Sequence, residues 1–261
     1  MQTFYAVLLG LLQGMTEFLP ISSSGHLLIL KYILDMPEIP IVYDVLLHGS
    51  TLLVIITVTR KTLANCFITL FSSNPDPQKT IERNLAHTIL FGLIPTALIG
   101  YAIDSQLLPL PTIGVGIAFL VTALMLFLTK FFTEKRTLVT PLHAILIGII
   151  HGFTVLPGIS RTGLIIVSVL FLGYSKKTAL SVALVSAIPI ILGALLLKIR
   201  DIQSLEGVFS PMQILLGCLV AFFSGMLSYS FLKNILNQQK LSLFSIYLVF
   251  LGSGILMYSL V

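Results

Sequence analysis

Two stretches of this chain match each other: AVLLGLLQGMTEFLPISSSG at 6–25 and AILIGIIHGFTVLPGISRTG at 144–163. An ungapped shift of 138 positions lays Ala6 on Ala144, Leu8 on Leu146, Gly10 on Gly148 and Gly14 on Gly152. The same shift lays Thr16 on Thr154, Ile21 on Ile159, Ser22 on Ser160 and Gly25 on Gly163. In each copy an apolar segment breaks at a proline into Ser, Gly and ionisable residues. Apolar segments interrupted at matching places in two halves of a membrane protein point to a site near the bilayer midplane.

The composition sets the solvent. Hydrophobic residues make up 56% of the 261 and charged residues 10%, against about 25% charge in soluble domains. With a mean hydropathy of +1.04, the chain reads as an all-α polytopic membrane protein forming one integral membrane domain, 1–261. Apolar runs of spanning length lie at about 41–59, 84–103, 112–132, 178–198, 211–231 and 242–260. The stretches 1–34 and 142–175 are long and apolar but broken at their centres. The N-terminus lacks the basic lead of a signal peptide. Cys66 and Cys218 have no metal-like spacing and read as packing residues. The net charge of +5 is spread over loops, which argues orientation in a membrane and no nucleic-acid partner.

Loop charges then give topology. Arg60, Lys61, Lys79 and Arg83 flank one loop, and Lys130, Lys135 and Arg136 sit in another. Lys176 with Lys177, and Lys233 with Lys240, mark two more. The loop at 104–111 carries Asp104 and no basic residue, and 199–210 balances Arg200 against Asp201 and Glu206. The positive-inside rule places the four basic loops in the cytoplasm. Six ordinary spans satisfy this only if 142–175 enters and leaves from the cytoplasmic side and 1–34 from the outside. The expected architecture is an inverted-topology repeat, about 1–136 and 137–261, of six transmembrane helices and two re-entrant helical hairpins. Both termini are expected outside a cytoplasmic (inner) membrane. The alternative is two kinked spans, giving eight crossings.

The hairpin tips hold the chemistry. Gln13 and Glu17, four apart, share one helix face, and Pro20 is expected to end that helix. Ser22, Ser23, Ser24 and Gly25 offer hydroxyls and amides at a helix start, a ready anion site. His26 adds a group that exchanges protons near neutral pH. At the second tip stand Gly158, Ser160, Arg161, Thr162 and Gly163. Arg161 carries a planar donor fork suited to phosphate oxygens, and a charge within an apolar segment marks a functional site. Competing roles are an ion pair between Glu17 and Arg161 that locks the halves, helix capping by Ser22 and Thr162, and packing by His26. Asp44 and His48, also four apart, either line the same cavity or sit at the interface. His151 takes the place of Gln13 in the second copy and is expected beside the site. His87 and His143 read as interfacial, and the eight tyrosines as interface anchors.

At these residues the chain resembles the undecaprenyl-diphosphate phosphatase family, the bacitracin-resistance type of integral membrane phosphatase. Gln13 and Glu17 match its Glu/Gln-x-x-x-Glu motif, followed by FLPISSSGHL at 18–27. Pro157, Gly158, Ser160 and Arg161 match its Pro-Gly-x-Ser-Arg-Ser-x-x-Thr motif, with Thr162 replacing the second Ser and Ile165 standing where the final Thr is expected. The phosphatidic-acid phosphatase pattern, which needs a His after the Ser-Arg pair, does not apply, because no His follows Arg161.

The resemblance implies removal of the terminal phosphate from undecaprenyl diphosphate, giving the monophosphate lipid carrier for peptidoglycan synthesis. It implies Glu17, Ser23, His26, Ser160 and Arg161 as the catalytic set. Gln13, Ser22, Ser24, Gly25, Gly158, Thr162 and Gly163 would bind substrate. Ser23 would be the nucleophile, with His26 or Glu17 as base, or water would attack directly. Glu17 is the candidate ligand for a divalent cation, Mg²⁺ or Ca²⁺. The partners are a polyprenyl diphosphate and membrane lipids, with a homodimer left open. The competing class is a polyprenyl-phosphate flippase using the same midplane anion site.

Overall fold

The computed structural model describes residues 1–71, 80–106, 111–133 and 139–259. Lys79, Lys135, Arg136, residues 107–110 of the acidic loop and the repeat boundary at 136/137 lie outside the described residues. The elements are α1 (Gln2–Phe18), α2 (Ser23–Ile33), α3 (Ile41–Leu70), α4 (Thr80–Gln106) and α5 (Thr112–Leu128). The second set is α6 (Pro141–Gly152), α7 (Arg161–Phe171), α8 (Lys176–Lys198), α9 (Pro211–Asn237) and α10 (Leu243–Ser259). No β-strand occurs among the described residues.

Among the described residues five segments are long and apolar enough to cross a membrane: Ile41–Leu70, Arg83–Ile103, Thr112–Phe131, Lys176–Leu205 and Pro211–Asn237. The apolar α10 has 17 described residues, and 260 and 261 lie beyond them. Large apolar side chains such as Ile94, Leu98, Leu196 and Leu227 face outward, as a lipid solvent allows.

Local chemistry sets the breaks. Leu19, before Pro20, is extended (φ −67, ψ 147), which ends α1 because the proline ring disfavours helical geometry in the residue before it. Ser22 caps α2, Ser160 caps α7 and Ser175 caps α8, each hydroxyl taking an orphan amide of the first turn. Ser210 and Gln213 form a reciprocal capping box on α9. The two copies break differently. α6 ends at Gly152 and passes through a 3-10 turn, Phe153–Val155, to an extended Leu156 before Pro157.

The two sets of five helices pack by exchange. α1 lies on α9 and α6 on α4, while α3 pairs with α8 and α5 with α10. At three of these seams, α1 on α9, α6 on α4 and α5 on α10, the backbones touch through small residues. A Cβ on Gly10 would fall on the Gly217 carbonyl, and one on Gly148 on the Gly92 carbonyl. A Cβ on Gly252 would stand 2.9 Å from the Gly116 carbonyl oxygen. Gly10 with Gly14, and Gly148 with Gly152, are G-x-x-x-G pairs, the pattern that lets membrane helices approach closely. Hydroxyls cross the same seams: Ser228 donates to the Met15 carbonyl at 2.6 Å and Thr96 to the Gly148 carbonyl at 2.8 Å.

Tyrosine is not confined to the interface. Tyr43 and Tyr174 are buried, and the Tyr43 hydroxyl donates to the Ala6 carbonyl at 2.9 Å. A phenol reaching a carbonyl inside the protein needs no membrane surface.

Gly10→Leu is expected to lower the thermal midpoint in detergent sharply, since overpacking a tight core costs about 1–3 kcal/mol or more. Gly254→Ala, where a Cβ meets nothing within 4 Å, should leave the midpoint unchanged or raise it. Differential scanning fluorimetry of both variants checks the pair.

Candidate active site

The two hairpin tips interlock. Ser22, held at φ 70 and ψ 95, uses its hydroxyl oxygen to accept from the Gly25 amide at 3.4 Å and from the Gly158 amide at 3.0 Å. One side chain thus caps its own helix and ties down the other hairpin. Gly158 adopts φ +95, a conformation open to glycine at no steric cost, and its carbonyl accepts from Thr122 at 2.9 Å. Thr122 in turn accepts from the Ser160 amide at 3.2 Å. The contacts are reciprocal: a Cβ on Gly25 would stand 2.8 Å from the Gly158 nitrogen, and one on Gly163 2.9 Å from Pro20 Cβ. The 138-residue shift that lays Gly25 on Gly163 also lays Pro20 on Gly158.

Glu17 sits at the junction, 7% exposed. Its Oε1 is paired with the Arg161 guanidinium. Its Oε2 accepts from the Ser23 hydroxyl at 2.5 Å and from the Gln13 amide at 2.9 Å, and lies 3.1 Å from His48 Nδ1. The Gln13 amide nitrogen also reaches His48 Nδ1 at 2.8 Å. A carboxylate taken out of water is tolerated when paired and hydrogen-bonded, and four side chains do that here. The ion pair between the tips therefore exists, and it sits inside the polar cluster.

These residues open onto a cavity of about 530 Å³. Its polar part is formed by Glu17, Ser22, Ser23, Ser24, His48, His151, Ser160 and Arg161, and its apolar wall includes Leu93, Ala97, Pro189, Ala194 and Leu197. Ser160 caps α7 by accepting from the Gly163 amide at 3.1 Å. The Thr162 hydroxyl is not a cap; it donates to the Glu17 carbonyl at 3.1 Å. The Gly25 and Gly163 amides are occupied by the caps, which leaves those of residues 23–24 and 161–162 as the first-turn donors without a helical partner.

His26 is placed elsewhere. It lies outside the cavity lining, with Nδ1 2.7 Å from the Ser22 carbonyl oxygen and Nε2 2.7 Å from the Tyr247 hydroxyl. A neutral imidazole carries one proton, so Nδ1–H donates to the carbonyl and Nε2 accepts from Tyr247. The ring stacks on Tyr247 and meets Phe119 edge-on. Both nitrogens are committed, and the structure does not bring His26 to Ser23. Asp44 is held by Lys31 at 2.7 Å, whereas His48, one turn along α3, joins the cluster. The spacing of Asp44 and His48 put both in view, and only the fold separates them. Thr122 carried no sequence signal, being one hydroxyl in an apolar span.

Among the described residues Glu17 is the sole carboxylate lining the cavity, and both its oxygens are engaged by donors. No three His, Cys, Asp or Glu side chains gather among the described residues, so a divalent cation here would draw most of its oxygens from water and bound phosphate.

Chemically, the arrangement holds a hydroxyl on a carboxylate beside a guanidinium at the end of an apolar cavity. Such an arrangement has the groups needed to activate a serine oxygen and to bind an anion carrying a greasy tail.

The family model described as "Bacitracin resistance protein BacA" matches residues 6–254. An undecaprenyl-diphosphatase of Borrelia recurrentis (strain A1) is 38% identical over 252 residues, covering 93% of this chain and 94% of that protein. One of Treponema denticola is 34% identical over 263 residues, with 99% and 98% covered. One of Alkaliphilus metalliredigens is 34% identical over 274 aligned positions, with 100% of both chains covered.

Arg161→Gln is expected to destabilise the protein by about 3 kcal/mol, because it strands the buried Glu17 carboxylate. Glu17→Gln is expected to cost less, because the Arg161 side chain stays 17% exposed on the cavity. The double variant should lose much less than the sum. Unfolding midpoints in a double-mutant cycle measure the coupling; additive losses would show that the pair is not a unit.

Proposed function

The chain belongs to the bacitracin resistance protein BacA family, and on that premise we propose that it hydrolyses undecaprenyl diphosphate to undecaprenyl phosphate and inorganic phosphate. The lipid carrier of cell-wall synthesis is thereby recycled. The observation that carries this reading is the 2.5 Å hydrogen bond from Ser23 to Glu17, with Arg161 on the other carboxylate oxygen.

Ser23 Oγ attacks the terminal phosphorus and its proton passes to Glu17 Oε2. The bond from that phosphorus to the bridging oxygen breaks, and its electron pair leaves with undecaprenyl phosphate. Glu17 hands its proton to the departing phosphate oxygen and is ionised again. Water then attacks the phosphoserine; Glu17 takes a proton from that water and returns it to Ser23 Oγ as inorganic phosphate leaves. Arg161 engages Glu17 through Nη2, leaving the rest of its five N–H donors for phosphate oxygens. First-turn amides of α2 and α7 add to the stabilisation of developing charge. A divalent cation arriving with the diphosphate would be held chiefly by phosphate oxygens, with Glu17 as its protein ligand.

The cavity faces the outside in this reading. Its rim takes Ile41 at the start of α3, Tyr101 near the end of α4 and Leu197 and Lys198 at the end of α8. These are the helix ends that the loop charges assign to the outer side. The exchange packing is what an internal two-fold repeat produces. Taken with the loop charges, we read it as an inverted repeat in a cytoplasmic membrane, with re-entrant hairpins and both termini outside. The helices α2, α6 and α7 have 11, 12 and 11 residues, or roughly 17 Å, well short of a bilayer core. The flippase reading leaves the Ser23–Glu17 pair without a task, and the relatives above are diphosphatases by name.

Ser23→Ala, Glu17→Ala and Arg161→Ala should each reduce phosphate release from undecaprenyl diphosphate by at least about a hundredfold in purified protein that remains folded. Near-normal release by Ser23→Ala would favour direct attack by water. In a background lacking Cys66 and Cys218, Tyr101→Cys should react with an impermeant thiol reagent in intact cells. Arg60→Cys should react only after permeabilisation.

A further inference from the structure

Three buried side-chain polar atoms have no hydrogen-bond partner among the described residues: Gln13 Oε1, His151 Nε2 and Ser186 Oγ. Buried polar atoms are normally satisfied, by water where protein does not reach. Two of the three, on His151 and Ser186, border one small cavity of about 10 Å³ between α4, α6 and α8, which Thr96 also lines. That is about the least room that holds one water, and the polar partners a water needs are present. His151, only 3% exposed, lines this cavity on one side and the 530 Å³ cavity on the other.

The internal repeat gives a second, independent reason to single out the pair. The shift of 138 that carries Gln13 onto His151 carries His48 onto Ser186. In the first half the two side chains bond directly at 2.8 Å beside Glu17. In the second half the imidazole stands on the other member of the pair, facing a short hydroxyl across the small cavity.

Resting on the diphosphatase reading, we propose that His151 is a substrate-binding residue, a neutral N–H donor to the diphosphate beside Arg161, set in that state by one water bound between its Nε2 and Ser186. The hydrogen bonds close without remainder. Ser186 donates to the water, and the water donates to His151 Nε2 and to Thr96 Oγ. The Thr96 proton is already directed at the carbonyls of Gly92 and Gly148, each at 2.8 Å. With Nε2 accepting, the single proton of the neutral ring resides on Nδ1, the nitrogen that is not among the buried unpartnered atoms. A neutral donor next to Arg161 adds a phosphate contact without cation–cation repulsion.

The test uses the purified full chain in detergent, with inorganic pyrophosphate binding measured by calorimetry and KM and kcat measured on undecaprenyl diphosphate. His151→Leu is expected to weaken pyrophosphate binding and raise KM about tenfold or more, as for a lost hydrogen bond to a charged group, with kcat within about threefold. His151→Gln, which keeps an N–H donor and an acceptor, should restore both to within about threefold of wild type. Wild-type binding by His151→Leu, or a Gln variant as weak as the Leu variant, overturns the proposal. If His151→Leu does not fold, Ser186→Val, which fills the small cavity, decides. A loss of about threefold or more in pyrophosphate affinity supports the bound water, and unchanged affinity overturns it. A wild-type protein that binds pyrophosphate yet releases no phosphate from the lipid sinks the diphosphatase reading alone, because the binding series still judges His151.

Discussion

A carboxylate buried between two hairpin tips organises this molecule. Glu17 belongs to the first tip and Arg161 to the second, and the buried carboxylate is tolerated because it is paired and hydrogen-bonded there. Their pairing fixes the distance between the halves. It also leaves the second carboxylate oxygen for Ser23, Gln13 and His48. The carboxylate that pairs across the tips is thus the one that holds the Ser23 hydroxyl. Stability and chemistry are coupled through four oxygen and nitrogen contacts on one side chain.

The internal repeat explains how such a site arises from symmetric packing. The seams of α1 on α9 and α6 on α4 exchange under the repeat, and so do the contacts of Gly25 and Gly163 at the tips. Symmetry brings equivalent backbone positions face to face. The side chains there are not equivalent, since the 138-residue shift lays Ser23 on Arg161 and Glu17 on Val155. A scaffold of two related halves therefore presents a hydroxyl on a carboxylate from one side and a guanidinium from the other.

Much of this was legible in the sequence because the physics involved is local. Proline at 20 ends a helix wherever it stands, and serine before a helix caps it, so the breaks at both tips were readable. The close-packed seams were readable too, in hindsight, from Gly10, Gly14, Gly148 and Gly152, whose spacing is the usual mark of touching membrane helices. The site was read less completely. His26 lies three residues from Ser23 in the chain and looked like its base, yet helix geometry turns it onto Ser22, Tyr247 and Phe119. His48 lies 25 positions from Ser23 and is the histidine that reaches Glu17. Sequence distance says nothing about which of two imidazoles crosses a helix interface. Tyr43 and Tyr174 likewise read as interface anchors until packing buried them.

By itself the sequence determined the solvent, the helical class, the repeat and the identity of the two polar tips, because composition, hydropathy and turn chemistry act over a few residues at a time. Only the tertiary structure decided which groups meet: Arg161 and Ser23 on opposite oxygens of one carboxylate, His48 in the cluster, His26 out of it, and His151 between two cavities. Those outcomes depend on the rotation and depth of helices packed against one another. Such quantities are set by close contact among residues far apart in the chain, and no local pattern encodes them.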